Sequence, residues 1–309
     1  MSSIATLEQL IAFTTDSVGL ERILRFFQAI VLILSSYPPA FGFLLQGPYP
    51  GFYKHSSPMV TQAILASIYQ RLGQARRYFR VFRFLPAFHA ASQMYLLTSG
   101  SHPGNVSEVW PIQRMQEWIQ VLGHSFNGLW LLLDASTVID ALEIDGLQFW
   151  GPELQHMVNI EAQRFWLFSL VCGVFVGLLE IHKLMACSPG PLTGISKVRG
   201  NAERRYPAAS SEKTFEHATT RLMISGDKCE PQSAQEDAQR LEIRSRLRVI
   251  GRAIIANAID IILPGSVIGW IQIYPGFMGL GMLTTTVLTS TDAWERCGRK
   301  VSKKSAAAP

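Results

Sequence analysis

Residues 253–294 contain neither lysine nor arginine, and their only charges are Asp260 and Asp292. A stretch this long and this apolar must lie largely out of water. Prolines and glycines interrupt it, so two arrangements are open: one membrane span over about residues 267–289, or two shorter helices that form a hairpin. In either case we expect the basic tail, residues 296–304, to stay on the cytosolic side.

A second candidate span covers residues 165–187. Its first part, residues 165–179, carries no charge, and the apolar segment continues past Glu180 and Lys183 to Cys187. At about 1.5 Å per residue the segment is long enough for a hydrocarbon core of about 30 Å. We predict a membrane span, with a buried core helix as the alternative. A mean hydropathy of +0.17 and a charged fraction of only 17% favour membrane association.

The most informative segment is residues 61–86, where the periodicity predicts a helix with two unlike faces. At 100° per residue, aliphatic and aromatic side chains fall on one side and arginines on the other. The apolar face consists of Ile64, Ile68, Leu72, Ala75, Tyr78, Phe79, Phe82 and Leu85. The other face carries Arg76, Arg77, Arg80 and Arg83. A helix of this kind is typical of proteins that lie in the headgroup plane of a membrane.

An amphipathic helix can also cover a protein core and present its charges to water. The surrounding charge pattern argues against that alternative, because residues 22–107 contain eight basic residues and no Asp or Glu. Ordinary surface helices mix both signs, which allows pairing between residues three or four positions apart. The pattern favours binding to an anionic phospholipid membrane, where each arginine is worth about 1 kcal/mol.

The rest of the chain divides into three regions and contains no pattern of strands. Residues 1–187 are predicted to form a helical region, and its first helix, residues 7–34, has Arg22 and Arg25 off its apolar face. Residues 188–237 are rich in Ser, Pro and Gly and predict a flexible connector. Residues 238–309 contain a basic helix, the C-terminal apolar segment and the basic tail. The predicted fold class is an all-α integral membrane protein.

Several function classes find no support in the sequence. The four cysteines are widely spaced and the histidines show no paired-ligand spacing, so neither a metal site nor a disulfide framework is expected. No catalytic or cofactor-binding motif is present, which predicts a protein that is not an enzyme and needs no cofactor. A net charge of +5 is too small to indicate nucleic-acid binding. A channel or transporter is the alternative function, with Asp260, Glu180 and Lys183 as its candidate ionisable groups.

Three blocks of the sequence together resemble the peroxin 11 proteins of the peroxisomal membrane. They are the arginine-aromatic residues 72–84, the segment 127–134 with sequence NGLWLLLD, and a C-terminal block with Asp260, Pro264, Gly279, Gly281 and Trp294. Their order and spacing cover most of the chain. The length and the long connector are most similar to the fungal branch related to the gamma-type members.

The resemblance implies a multi-pass or hairpin protein of the peroxisomal membrane that elongates this membrane and promotes fission and proliferation. The family's membrane-remodelling helix corresponds to residues 66–86, with Leu72, Phe79 and Phe82 as the wedge. Ile68 and Leu85 are the further membrane-binding residues of this helix. By the same resemblance, the arginines at positions 76, 77, 80 and 83 contact lipid headgroups. The resemblance also implies self-association and recruitment of the membrane fission machinery.

Overall fold

The structure, a computed structural model, describes residues 3–37, 58–100, 111–142, 146, 149–186 and 232–307. Nearly all of these residues lie in helices and none lies in a strand, which confirms the all-α prediction for this part of the chain. The helices are α1 (Ser3–Thr15), α2 (Ser17–Ser36), α3 (Pro58–Tyr78), α4 (Phe84–Gly100), α5 (Pro111–Ser136), α6 (Gly151–Ala186), α7 (Gln232–Asp260), α8 (Ile262–Ile268) and α9 (Pro275–Ala307), with a short 3-10 turn at Asp140–Leu142.

The predicted first helix, residues 7–34, is two helices. Asp16 has an extended backbone between α1 and α2, and its carboxylate faces the basic end of α9, 3.3 Å from Arg296 and 3.7 Å from Lys300. Gly19 allows the close turn, because a Cβ atom there would lie 1.9 Å from the carbonyl oxygen of Phe13.

The predicted helix over residues 61–86 is also interrupted. Helix α3 ends at Tyr78 and α4 begins at Phe84, and a hydrogen-bonded turn, residues 79–83, joins them. Pro86 supplies the physical reason: it has no N–H to donate to the carbonyl of Phe82, and its ring would clash with that carbonyl in a continuous helix. Phe79 and Phe82 therefore lie in the turn.

Helix α6 covers the predicted span at residues 165–187 as far as Ala186; Cys187 lies outside the described residues. Within the described ranges, α6 is the one helix long and apolar enough to cross a membrane, by length and composition. Only 17% of the residues in its most apolar window are buried in the protein. A buried core helix, the alternative drawn from the sequence, would have most of this window covered.

The C-terminal apolar segment is not one continuous helix over residues 267–289. Gly269 ends α8 in a left-handed conformation, with φ of 88°, and Pro275 begins α9. Helices α7 and α8 pack against α9, and a hairpin in the membrane stays a prediction. The predicted connector lies outside the described residues except for its end, where α7 begins at Gln232.

The helices form one connected bundle. In packing order, α4 contacts α5, α5 contacts α6, α6 contacts α7 and α8, α7 contacts α9, α9 contacts α1 and α2, and α2 contacts α3. Gly279 sets the closest approach of α9 to α2, since a Cβ atom there would lie 3.3 Å from the carbonyl oxygen of Ala29. The stacked rings of Trp130 and Trp166, 4.9 Å apart, join α5 to α6.

Candidate membrane-binding surface

The inner side of helix α2 is polar. Glu21, Arg25 and Gln28 are spaced by four and three residues, which places them on one helical face, and all three are buried. The aromatic residues Phe26 and Phe27 of the same helix are exposed. Ala29 and Leu32 of α2 are buried as well, so its inner side combines apolar residues with charged residues that need partners.

Glu21 is the anionic centre of a cluster formed with the arginines of α3 and the following turn. Arg83 donates a hydrogen bond to its Oε2, while Arg76 and Arg80 approach its Oε1 to 3.6 and 3.8 Å. Burial alone would raise the pKa of Glu21. The positive charges of the arginines at positions 80, 83, 76 and 22 outweigh burial and lower the pKa to about 2.

Asp134, near the end of α5, is a second buried anion and binds two arginines. The Nε atom of Arg77 donates to its Oδ1 and the Nε atom of Arg80 to its Oδ2, each at 3.0 Å. Arg77 also donates to the hydroxyl of Thr137. The guanidinium of Arg80 lies 5.1 Å from the centre of the Trp130 ring, within range of a cation–π contact.

Arg76 is the least exposed of the four arginines at positions 76, 77, 80 and 83. Its Nη1 atom donates a hydrogen bond of 2.6 Å to Oε1 of Gln28, and its side chain is 12% exposed. Burial, followed by the positive charges of Arg80 and Arg25, lowers the pKa of Arg76 to about 9, so the group is still charged at neutral pH.

A third buried ion pair joins α2 to the C-terminal hairpin. Arg25 donates to Asp260 at the end of α7 and, at 3.0 Å, to the hydroxyl of Thr285 on α9. Asp260 is one of the three ionisable groups considered for a channel, and its charge is thus neutralised inside the bundle. Lys183, another of the three, donates to Gln116 of α5.

The apolar residues of the predicted wedge lie on the outside of the bundle. Phe82 is 75% exposed and Phe79 is 41% exposed. Ile68 and Leu85 are also exposed, and Leu72 is half-buried. The wedge is therefore not enclosed in a core, although its two phenylalanines lie on a turn and not on a continuous helix.

The four arginines predicted to contact headgroups point the other way, into the bundle. Their side chains are 12%, 20%, 13% and 34% exposed at positions 76, 77, 80 and 83. The sequence reasoning missed their partners Glu21 and Asp134. A signal existed, because a lone acid in an apolar helix requires a basic partner. Membrane contact by the predicted residues stays a prediction.

The comparison with known families gives one match. The sequence model of peroxisomal biogenesis factor 11 (PEX11) matches residues 51–294. This range covers most of the chain, from before α3 into α9, and includes the turn with its arginines and the candidate span α6. No curated protein and no solved structure matches the chain.

Proposed function

Because the chain belongs to the peroxisomal biogenesis factor 11 family, we propose that it remodels and elongates the peroxisomal membrane and so promotes peroxisome fission. The family is linked to peroxisome biogenesis and proliferation, implies a peroxisomal location and is not a family of enzymes. We also propose that the chain belongs to the fungal branch related to the gamma-type members, because of its length and its long connector.

The observation that carries this proposal is the outward position of the apolar side chains around the turn between α3 and α4. Phe79 and Phe82 are exposed while the neighbouring arginines are paired inside. Exposed phenylalanines cost free energy in water and gain it in lipid, at roughly 25 cal/mol per Å² of apolar surface removed from water. A cluster of them on one side of a protein marks an interaction surface.

The mechanism follows from the area that such a surface occupies in one leaflet. Side chains that enter the headgroup and acyl boundary to a depth of about 5 to 10 Å expand that leaflet and leave the other unchanged. The leaflet that carries the protein then becomes convex, which is positive curvature. In this proposal Ile68, Leu72 and Leu85 extend the inserted surface on either side of the two phenylalanines.

The buried ion pairs give the wedge a rigid support. Glu21 lies on α2 and Asp134 lies on α5, and both bind arginines in or next to the turn. These contacts fix the two phenylalanines relative to the bundle. The proposal includes contact between these arginines and lipid headgroups. Arg83 is best placed for this contact, because its side chain is the most exposed of the four. Helix α6 would anchor the bundle across the membrane.

The test uses the full-length protein on anionic liposomes, imaged by electron microscopy. Replacement of both Phe79 and Phe82 by Asp is expected to abolish tubulation, because two carboxylates cannot enter the acyl region. The matched control is the conservative double variant Phe79→Leu and Phe82→Leu, which keeps the surface apolar and is expected to tubulate. A second control, Leu241→Asp, adds a charge at an exposed apolar position on α7. Normal tubulation by the Asp double variant would refute the wedge.

Self-association and recruitment of the fission machinery also belong to this proposal, since many copies must act together to curve a membrane over a long distance. Crosslinking of the protein in liposomes tests the first: a single monomeric species under tubulating conditions would contradict it. A channel or transporter, the alternative function, receives no support from the described residues, because Asp260 is paired with Arg25.

A further inference from the structure

A cavity of about 650 Å³ lies between α1, α2, α7 and α9, and its lining residues do not include the turn that carries the wedge. Its volume falls in the range of sites for small molecules, about 300 to 1,000 Å³. One part of its wall is apolar and aromatic. This part is formed by Phe13, Ile23, Phe26, Phe27, Val287 and Trp294.

Two arginines line the same cavity. Arg22 of α2 forms no hydrogen bond or ion pair with any residue that the structure describes, and its Nε atom is buried without a partner. Arg252 of α7 donates to Thr291 at 3.0 Å and to Asp292 at 3.2 Å, but its Nε atom is likewise buried without a partner. A buried guanidinium without a full set of hydrogen bonds is unfavourable, so Arg22, which lines the cavity, would gain from an anionic acceptor there.

The one acid on the wall, Glu295, has its own partner, Arg299, at 4.0 Å. Arg252 is paired with Asp292, so the positive charge available at the polar side comes chiefly from Arg22, which also interacts at longer range with Glu21 and Asp260. Its apolar side continues onto exposed Phe27 and Val287. A ligand that satisfies both sides has an anionic head and an apolar chain.

We propose that this cavity binds a single anionic phospholipid, with the phosphate at Arg22 and Arg252 and one acyl chain along Phe26, Phe27 and Trp294. Arginine suits this role because its planar guanidinium donates two parallel hydrogen bonds to phosphate oxygens. The site differs from the wedge in residues and in function: the wedge inserts into a leaflet, whereas the cavity takes one lipid molecule out of it.

The test measures quenching of Trp294 fluorescence in the full-length protein in detergent. The probes are dioctanoyl phosphatidic acid and dioctanoyl phosphatidylcholine with the same brominated acyl chains, which quench a tryptophan on contact. The Trp294→Phe variant provides the signal of the remaining tryptophans, which is subtracted. We expect phosphatidic acid to quench Trp294 at a concentration about tenfold lower than phosphatidylcholine, as charge-assisted hydrogen bonds would give.

Variants then assign the two halves of the site. The double variant Arg22→Gln and Arg252→Gln should lose the tenfold preference, and Arg22→Lys should keep part of it. Val287→Phe, which fills the apolar side, should weaken quenching by both lipids. The matched control is Arg244→Gln, an exposed arginine of the same helix α7, which should leave the preference unchanged.

Equal quenching by the two lipids in the unmodified protein, or a preference that survives loss of both arginines, would overturn the proposal. A far-UV circular dichroism spectrum of each variant tests whether it is folded. If a glutamine variant does not fold, the Arg22→Lys variant still tests the role of the guanidinium. The measurement requires neither a bilayer nor curvature. Its result is therefore independent of the tubulation experiment, and failure of one does not imply failure of the other.

Discussion

Replacing Glu21 by Gln should destabilise the protein by about 3 kcal/mol. Burial alone would raise the pKa of Glu21, but the charges of the nearby arginines outweigh it and lower the pKa from its ordinary 4.5 to about 2. At about 1.4 kcal/mol for each tenfold change in the acid constant, this corresponds to about 3 kcal/mol in favour of the ionised folded state. Removal of one partner of a buried ion pair costs a similar amount, about 3 to 5 kcal/mol, because the other charges stay buried.

The assay is thermal unfolding of the full-length protein in detergent at pH 7, followed by tryptophan fluorescence. A loss of about 3 kcal/mol should lower the melting temperature by about 5 to 10 °C. Glu8→Gln is the matched control, because Glu8 is exposed on α1, and it should change the stability by less than about 0.5 kcal/mol. Equal melting temperatures for the Glu21 variant, the control and the unmodified protein would refute the reasoning.

The pH dependence of the same pair of proteins gives a second check on Glu21. Its pKa is lower in the folded than in the unfolded state, so its contribution is complete above about pH 4.5 and is lost as the pH falls toward about 2. The gap in melting temperature between the unmodified protein and Glu21→Gln should therefore be constant near neutrality and narrow on acidification below about pH 4.5. A gap that widens in acid would contradict the assigned cause.

Asp134→Asn should cost about 3 kcal/mol in the same melting assay, whereas Asp292→Asn, at an exposed ion pair, should cost less than about 1 kcal/mol; equal losses would contradict the role of burial. Gly279→Val should lower the melting temperature more than Gly251→Val, because only the first places a side chain against the backbone of Ala29. Alkaline carbonate should leave the protein in the membrane pellet, and its release would exclude α6 as a span.

The sequence was sufficient to predict the helical class and the location of most helices, because apolar periodicity and the positions of Pro and Gly are local properties. It predicted the apolar part of α6, although the helix begins at Gly151, well before the predicted segment. The break between Tyr78 and Phe84 was missed although Pro86 signals it, since the aromatic and arginine pattern continues through the turn without change of phase. The break at Gly269 was one of two alternatives that the glycines and prolines left open.

The orientation of the faces could not be predicted from periodicity. A helical projection separates apolar from charged residues, but it does not say what either face contacts. In water the apolar face turns inward, whereas a protein surrounded by lipid can turn it outward if every buried charge has a partner. Which face turns inward depends on Glu21 and Asp134. Each of these acids binds an arginine that is at least 55 positions away in the sequence. Such long-range pairing becomes visible only when the helices are placed together.

The proposed function requires one segment to be both charged and membrane-active, and the ion pairs are compatible with this. Four arginines, at positions 76, 77, 80 and 83, are bound by two buried acids, Glu21 and Asp134. Because the acids are fewer than the arginines, the cluster keeps a positive charge after internal pairing, and Arg80 and Arg83 of this cluster lie in the same turn as the exposed phenylalanines. A surface with apolar side chains in front and positive charge behind them is attracted to an anionic leaflet before it inserts. Added salt should then slow binding to anionic liposomes and leave the depth of insertion of Phe82 unchanged.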